Sequence, residues 1–332
     1  MPQPAAQHPA PYTSVLAATD FSQCSTAAIR EAVRIAAWSG ARVAAVHVID
    51  TAVVIEVEAA LSPLQESIST AMIRDAENSW QSFASGIIGA DARAVPLHVS
   101  INNRIVGILR AVREHKADLL VLGAAGEHAA DVGIGSIARA CVRKSMTDVL
   151  VVRDSRPPAP GSPFRCIVAA VDFSPTSLRA LQRAADYASR DHAVLHVLHV
   201  FSAPWHGVHY RSPTPLAQPH HQQQYRDSLH RRLQDFAAPV LNTHPGLHST
   251  LAVFDHSGHR SGLVDYASSV KADLIVLGTR GRTNLRDVLL GSTAEKALRD
   301  TLCSVLAIKP EGFTHPLAEG SDAQPQPGRI IT

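Results

Sequence analysis

The chain has 332 residues, of which 45% are hydrophobic, 18% are charged and 5% are aromatic. This is the composition of a globular protein, and the length favours two domains of about 150 residues each. The formal net charge of +2 and the few aromatic residues argue against a nucleic-acid-binding protein, which needs a basic surface or stacking platforms.

The cysteines and the termini indicate the cellular compartment. Four widely spaced cysteines form neither a CxxC pair nor a disulfide framework, so a reducing cytosol is expected. The N-terminal stretch MPQPAAQHPAPYTS has no basic and no apolar region of a secretory signal. No apolar run reaches the roughly 18 residues that cross a bilayer. We therefore expect a cytoplasmic protein without a membrane partner.

Strands and helices are predicted to alternate along residues 12–154. Near-continuous apolar runs of strand length are typical of buried parallel strands, and the helices between them would cover both faces of one sheet. The predicted strands are Ser14–Thr19, Arg42–Asp50, Ala94–Ser100, Ala117–Gly123 and Asp148–Arg153, and the predicted helices are Thr26–Trp38, Glu66–Ser85, Ile105–Glu114 and Ser136–Lys144.

A second copy of the same unit follows a proline-rich linker at 155–163 and covers residues 164–311, with a flexible tail predicted at 312–332. Asp172 follows Asp20 by 152 positions, each in the sequence DFS at the end of an apolar strand. KADLIVLG (271–278) repeats KADLLVLG (116–123). A repeat of this length indicates a duplicated domain rather than a solenoid.

The stretch after the last repeat motif predicts a phosphate site. Gly278 ends a strand, Gly281 follows, and Gly291, separated from Gly281 by nine residues, precedes a predicted helix. Glycines allow close approach to a ligand, and a helix N-terminus offers backbone N–H groups to anions. The loop matches neither the P-loop nor GxGxxG. Its arginines are interpreted as phosphate contacts or as a solvated basic face: Arg280, Arg282 and Arg286.

These features together resemble the universal stress protein family, with two such domains in tandem. The resemblance rests on the strand ending in Asp and Ser, the His-Val ending of the second strand, the ADLIVLG strand and the glycine signature. It implies, in each domain, a doubly wound α/β fold with a five-stranded parallel sheet of strand order 3-2-1-4-5, flanked by helices. The ligand is expected where the first and fourth strands diverge.

The resemblance further implies that the protein binds ATP, alone or with Mg²⁺, through the aspartate, the His-Val backbone and the glycine signature. In the second domain the residues that match this pattern are Asp172, Val200, Gly278, Gly281, Arg282, Gly291, Ser292 and Thr293. The corresponding residues of the first domain are Asp20, Val48, Gly123, Gly126, Gly135 and Ser136.

The first domain departs from the pattern. Only eight residues separate Gly126 from Gly135, and they include Glu127 and Asp131 but no Lys or Arg. The deletion is expected to displace the amides of Gly135 and Ser136. Carboxylates about 4 Å from a phosphate would cost on the order of 4 kcal/mol at an effective dielectric near 20. We therefore expect ATP mainly in the second domain.

Several other residues allow two interpretations. Asp20 and Asp172 are general bases or, as favoured here, helix caps or ligand contacts, because no paired acid accompanies them. Histidines of the loop 206–221 form a zinc site or a solvated loop, and no HExxH or CxxC favours a metal. Cys24 is a redox group or an incidental thiol. No catalytic and no metal residue is assigned.

The fifth strands, VLVV (149–152) and VLAI (305–308), are apolar and are expected at sheet edges, where strands pair. The two domains would then form an intramolecular pseudo-dimer, or each would pair with a second chain as in a homodimer. The expected function is that of an ATP-binding stress-response regulator rather than an enzyme. The alternatives are a slow ATPase or autophosphorylating protein with Ser292 or Thr293 as acceptor, and a nucleotide-independent interaction module.

Overall fold

A computed structural model describes residues 12–60, 67–125, 134–153, 161–203, 205, 219–281 and 290–312. Within these ranges ten strands alternate with helices. The strands are β1 (Ser14–Ala18), β2 (Arg42–Asp50), β3 (Leu97–Asn102), β4 (Leu119–Gly123), β5 (Asp148–Val152), β6 (Cys166–Ala170), β7 (Val194–Phe201), β8 (Ser249–Asp255), β9 (Leu274–Gly278) and β10 (Ser304–Ile308).

Apart from α2, the α-helices of the described residues fall at matching places in the two halves of the chain. They are α1 (Gln23–Ser39), α2 (Thr51–Ala60), α3 (Ile68–Ile88), α4 (Arg104–Glu114), α5 (Ser136–Lys144), α6 (Pro175–Asp191), α7 (Pro219–Leu241), α8 (His259–Ser269) and α9 (Ser292–Asp300). A 3-10 helix, Gly89–Ala94, follows α3. Nowhere in the described ranges is a helix both long and apolar enough to cross a membrane.

All ten strands belong to one sheet, in the order β3-β2-β1-β4-β5-β10-β9-β6-β7-β8. Each half has the order 3-2-1-4-5 with parallel neighbours, so the predicted doubly wound fold is confirmed. The halves join where β5 and β10 pair in antiparallel fashion, with Leu150 opposite Leu306. This pairing supplies hydrogen-bond partners to two apolar strands that would otherwise be edges.

Two layers of apolar side chains cover the sheet, one on each face. The first layer includes residues of α1, α3, α6 and α7, and the second includes residues of α4, α5, α8 and α9. Both layers continue across the β5–β10 junction. The strands at the centre of the sheet are therefore buried on both faces, which explains why they read as unbroken apolar runs.

The first helix of each half begins and ends in the same way. Ser22 accepts the N–H of Ser25, and Ser174 accepts the N–H of Ser177 in a capping box. Both helices end on a left-handed residue, Gly40 with φ 65° and His192 with φ 54°.

The structure differs from the sequence prediction at several places in the first half. The third strand spans Leu97–Asn102 instead of the predicted Ala94–Ser100, because a 3-10 helix extends to Ala94. The structure has an additional helix, α2, in a stretch for which no element is predicted. The next helix extends beyond the predicted end at Ser85 to Ile88, and its predicted start, Glu66, lies outside the described residues. Most of the linker at 155–163 and of the tail at 312–332 also lies outside them.

Candidate functional site

In each half of the sheet, a sharp turn that contains an aspartate follows the first strand. Phe21 and Phe173, which follow the aspartates, have φ of 62° and 65°, a left-handed conformation that is uncommon outside glycine. In the second domain the Oδ1 atom of Asp172 accepts the N–H of Ser174 at 3.0 Å. Asp20 accepts the N–H of Ser22 at 3.1 Å. The serines cap the helices, so the aspartates themselves act as turn acceptors.

The glycine loop of the second domain lies directly against Asp172. A Cβ atom placed on Gly281 would come closer to Oδ2 of Asp172 than real side chains approach one another. Gly278 is similarly restricted, because its Cβ would lie 2.9 Å from Cγ2 of Thr176 on α6. The loop and the aspartate, which are more than 100 residues apart in sequence, therefore meet at the carboxyl end of the sheet.

The loop returns to the sheet at Gly291 and begins α9. The N–H of Gly291 donates to the carbonyl oxygen of Thr279 at 2.8 Å. No side chain caps this helix. Ser292 is exposed and Thr293 is half-buried in its first turn. A helix start of this kind presents backbone N–H groups and the positive end of the helix dipole.

The first domain has the same contacts at its own loop. A Cβ atom on Gly123 would lie 2.8 Å from the carbonyl carbon of Cys24, the residue that matches Thr176. Gly135 donates its N–H to the Ala124 carbonyl at 2.7 Å and begins α5. The expectation that the one-residue deletion displaces the Gly135 amide is therefore wrong, because this hydrogen bond matches that of Gly291. The loop residues Gly126, Arg282 and Arg286 lie outside the described part of the chain.

The histidines of the His-Val pairs hold the first turn and the second strand together. Nδ1 of His47 lies 2.9 Å from the carbonyl oxygen of Thr19, and Nδ1 of His199 lies 2.8 Å from that of Val171. A carbonyl oxygen only accepts, so Nδ1 carries the proton in both rings. Burial lowers the pKa of His47, so this ring is neutral near pH 7, with Nε2 as an acceptor.

The valines of these pairs lie against glycines that the sequence analysis did not single out. A Cβ atom on Gly107 of α4 would lie 2.6 Å from Cγ1 of Val48, and one on Gly262 of α8 would lie 2.6 Å from Cγ1 of Val200. The glycines let each helix approach the second strand of its domain. Their signal in the sequence is a glycine inside a predicted helix, repeated 155 positions later.

A cavity of about 680 Å³ opens at the carboxyl end of the first domain. Five of the six residues predicted for this domain line it, and the sixth, Gly126, is the one outside the described residues. The lining also includes apolar side chains from the strands and from α2 to α5. The five predicted residues are Asp20, Val48, Gly123, Gly135 and Ser136. Volume does not rank affinities, so the order of the two domains stays a prediction.

The cavity is acidic. Asp20, Asp50 and Asp75 line it, and Arg104 is the cationic side chain among its lining residues. The Nε atom of Arg104 lies 3.4 Å from Oδ2 of Asp50, so much of its charge is already compensated.

The remaining residues for which the sequence allowed two interpretations are Arg280, Cys24 and the histidines of the loop 206–221. Arg280 is half-buried, and its charge contributes to the lowered pKa of Lys309 at the junction of the two halves. Cys24 is half-buried beside Gly123. His206 and His209 of the candidate zinc loop are not among the described residues, and the residues that are described contain no group of three potential metal ligands.

Comparisons with known proteins agree with this architecture. The chain is similar to the universal stress protein A homolog 1 of Coxiella burnetii, with 31% identity over 147 residues, which are 44% of this chain and 96% of that protein. A universal stress protein of Archaeoglobus fulgidus has a similar solved structure, with a TM-score of 0.58 at 18% identity over 89% of this chain and 98% of its own.

A second solved structure, of a functionally unknown protein from Pseudomonas aeruginosa PAO1, has a TM-score of 0.60 at 18% identity, covering 90% of this chain and 93% of its own. At such identities the two structures show the fold alone. The model of the universal stress protein family matches twice, at residues 11–153 and 163–309. These two matches cover most of the sequence, and the chain belongs to the universal stress protein family.

Proposed function

We propose that this protein binds ATP, mainly in its second domain, and that ATP acts there as a regulatory ligand in a stress response. The observation that carries the proposal is the contact between Gly281 and the Asp172 carboxylate, which would have to move if position 281 carried a side chain. A glycine directly beside an acceptor fits a loop that must approach a ligand closely.

The remaining parts of the second-domain site suit the parts of a nucleotide. The uncapped N-terminus of α9, with Ser292 and Thr293 in its first turn, suits phosphate groups. The half-buried Val200, at the end of the second strand, supplies an apolar surface for a base. Asp172 supplies an acceptor for ligand hydroxyl groups.

A regulatory role requires that ATP distinguish two states of the protein. A ligand shifts a conformational equilibrium only as far as its affinities for the two states differ. The described site has no acid and base arranged around a reacting atom, which favours a ligand over a substrate. The family's name agrees with a role in stress.

The test compares two glycine variants of the full chain. Gly281→Ala places a methyl group against Asp172, whereas Gly86→Ala adds one where no atom lies within 4 Å, on the same fold. We expect Gly281→Ala to weaken ATP binding by at least about tenfold, measured by isothermal titration calorimetry. Gly86→Ala should bind ATP like the wild type. Equal affinity of all three proteins would overturn the proposal.

The same preparation separates the other functions. The protein is purified without added nucleotide and denatured, and the released ligand is identified by mass spectrometry. Conversion of added ATP to ADP over hours, lost in Gly281→Ala, would indicate a slow ATPase. A phosphate retained on Ser292 or Thr293 would indicate autophosphorylation. If no nucleotide is released and ATP causes no thermal shift, the result would indicate the remaining alternative, a nucleotide-independent interaction module.

A further inference from the structure

The two nucleotide-site regions differ in charge at two matched positions. Asp50 and Asp75 line the first-domain cavity. Asp50 matches Ser202 at the offset of 152 that also relates His47 to His199. Asp75 matches Ser228 at an offset of 153.

The match between Asp75 and Ser228 follows from the packing of α3 and α7 against the first turns of their domains. Phe83 of α3 lies edge-on to Phe21 with the ring centroids 5.1 Å apart. Phe236 of α7 lies in the same way on Phe173, at 5.5 Å. These phenylalanines are also 153 positions apart, so α3 and α7 have the same register on their turns. Two of the three carboxylates that line the first-domain cavity, Asp50 and Asp75, thus match serines in the second domain, whereas Asp20 matches Asp172.

The first-domain cavity repels phosphate groups. Its described lining holds three carboxylates and one guanidinium, that of Arg104, which lies 3.4 Å from Asp50, so the carboxylates of Asp20 and Asp75 exceed the positive charge. His47 is neutral because burial lowers its pKa. Like charges within a cavity repel more strongly than in bulk water, because the effective dielectric is lower.

The part of the first-domain site formed by the first turn, the second strand and α4 has counterparts in the second domain. The turn aspartate, the histidine that donates to the first turn, the valine and the glycine against it occur in both domains, with matching hydrogen bonds and contacts. The walls are largely apolar, including Met72, Ile108 and Ile137. A volume of about 680 Å³ is in the range of small-molecule sites. The carboxylate of Asp20, which matches Asp172, suits hydroxyl and amino donors.

We propose that the first domain binds a nucleoside without phosphate groups, so that one chain carries a nucleotide site and a nucleoside site. The proposal rests on the proposed function in one respect. The part of the site that both domains share is taken to bind the base and sugar of a nucleotide. The carboxylates of Asp50 and Asp75 exclude the phosphates, and the shared half holds the base and the sugar.

The test uses adenosine and ATP as probes in full-length protein whose second site is closed by Gly281→Asp. We expect calorimetry to show one adenosine bound per chain and an ATP affinity at least about tenfold lower. In the same protein, Asp20→Ala should lower the adenosine affinity by at least about tenfold, because it removes the lining carboxylate that would accept a hydrogen bond from the ligand. Circular dichroism confirms folding of each variant.

The decisive variant gives the first domain the serines of the second. Asp50→Ser with Asp75→Ser, in the Gly281→Asp protein, should raise the ATP affinity about tenfold or more and change the adenosine affinity less than about threefold. Three results would overturn the proposal. They are no adenosine binding, ATP binding as tight as adenosine binding before the serine exchange, and adenosine binding that is unchanged in Asp20→Ala.

The outcome is separable from that of the proposed function. Loss of ATP binding to the wild-type second domain would remove the proposed function while adenosine binding to the first domain remained measurable. Conversely, ATP binding in the wild type with no adenosine binding in the Gly281→Asp protein would remove only the present proposal.

Discussion

The amine of Lys309 donates to the carbonyl oxygen of Val142 at 2.6 Å, across the junction between the two halves of the chain. The opposite contact is Arg153 Nη2 to the carbonyl oxygen of Leu298, at 3.1 Å. Each basic residue follows the last strand of its own half and reaches the last turn of the final helix in the other half. Cations at this place satisfy free carbonyls and oppose the negative end of the helix dipole.

The backbones of the same residues complete the reciprocal arrangement. The N–H of Lys309 donates to Oδ1 of Asp148 at 2.9 Å, and the N–H of Arg153 donates to Oγ of Ser304 at 3.2 Å. Asp148 and Ser304 are the first residues of β5 and β10. The contact between the halves therefore has approximate twofold symmetry, with different chemistry on its two sides.

We predict that the free energy of unfolding depends on pH through Lys309. Burial lowers the pKa of this amine from 10.5 to about 7, and the side chain is 2% exposed. Between pH 7 and 10.5 the unfolded chain therefore binds the additional proton, so stability rises with pH, by at most about 1.4 kcal/mol per pH unit. Below pH 7 both states are protonated and this dependence ends.

Thermal unfolding between pH 7 and 9, followed by circular dichroism, tests this dependence. Lys309→Met keeps the volume and removes the titrating group, so the slope attributable to Lys309 should disappear in the variant. Identical slopes in the two proteins would show that Lys309 titrates alike in the folded and unfolded chains.

Arg153→Met is predicted to destabilise the protein by about 1–3 kcal/mol, because the Leu298 carbonyl loses this donor. Arg165→Met is the matched control: the Arg165 side chain is 69% exposed and lies 3.9 Å from Asp273. Exposed pairs contribute little, so the control should change the free energy by less than about 1 kcal/mol. Urea denaturation measures both, and equal effects would contradict the prediction.

His192→Gly is predicted to stabilise the protein. His192 ends α6 in a left-handed conformation with φ 54°, whereas the matched residue of the first half is Gly40 with φ 65°. Glycine adopts this conformation without the cost of about 1–2 kcal/mol that other residues carry. The gain should approach 1 kcal/mol and raise the melting temperature, and Gly40→Ala should lower it. A drop in the melting temperature of His192→Gly would refute the argument.

Gly262→Ala is predicted to cost about 1–3 kcal/mol, because the new methyl group would lie 2.6 Å from Cγ1 of Val200. The second change Val200→Ala removes the nearest obstructing atom and leaves Cβ of His256 at 2.9 Å, so the double variant should recover part of the stability. Chemical denaturation of the two single variants and the double variant gives the coupling free energy. Additive effects would show that the two residues do not interact.

Most of the fold follows from the sequence because buried parallel strands are continuous apolar runs and the whole pattern occurs twice. The apolar character of β5 and β10 indicated that these strands could pair with each other. The helix α2 was not predicted, since only Val54 of its ten residues is buried and no apolar stripe marks it. Its formation depends on contacts with β2 and α3 that a local pattern does not contain.

The site was predictable where chemistry repeats at fixed spacing and not where it depends on packing. Asp20 and Asp172 were identified because each ends an apolar strand in the same tripeptide. Gly107 and Gly262 were missed because a glycine within a helix has many uses, and only the structure shows a valine against each. Asp50 and Asp75 come together only when β2 and α3 meet at the cavity.

The antiparallel pairing of β5 with β10 has a consequence for stoichiometry. Because both strands belong to one polypeptide, their association is a first-order event whose extent does not change with protein concentration. Every molecule therefore contains one acidic cavity and one glycine loop beside Asp172, in a fixed ratio of one to one. Two genes for separate domains would have to match their expression levels to maintain such a ratio, and dilution would dissociate their products.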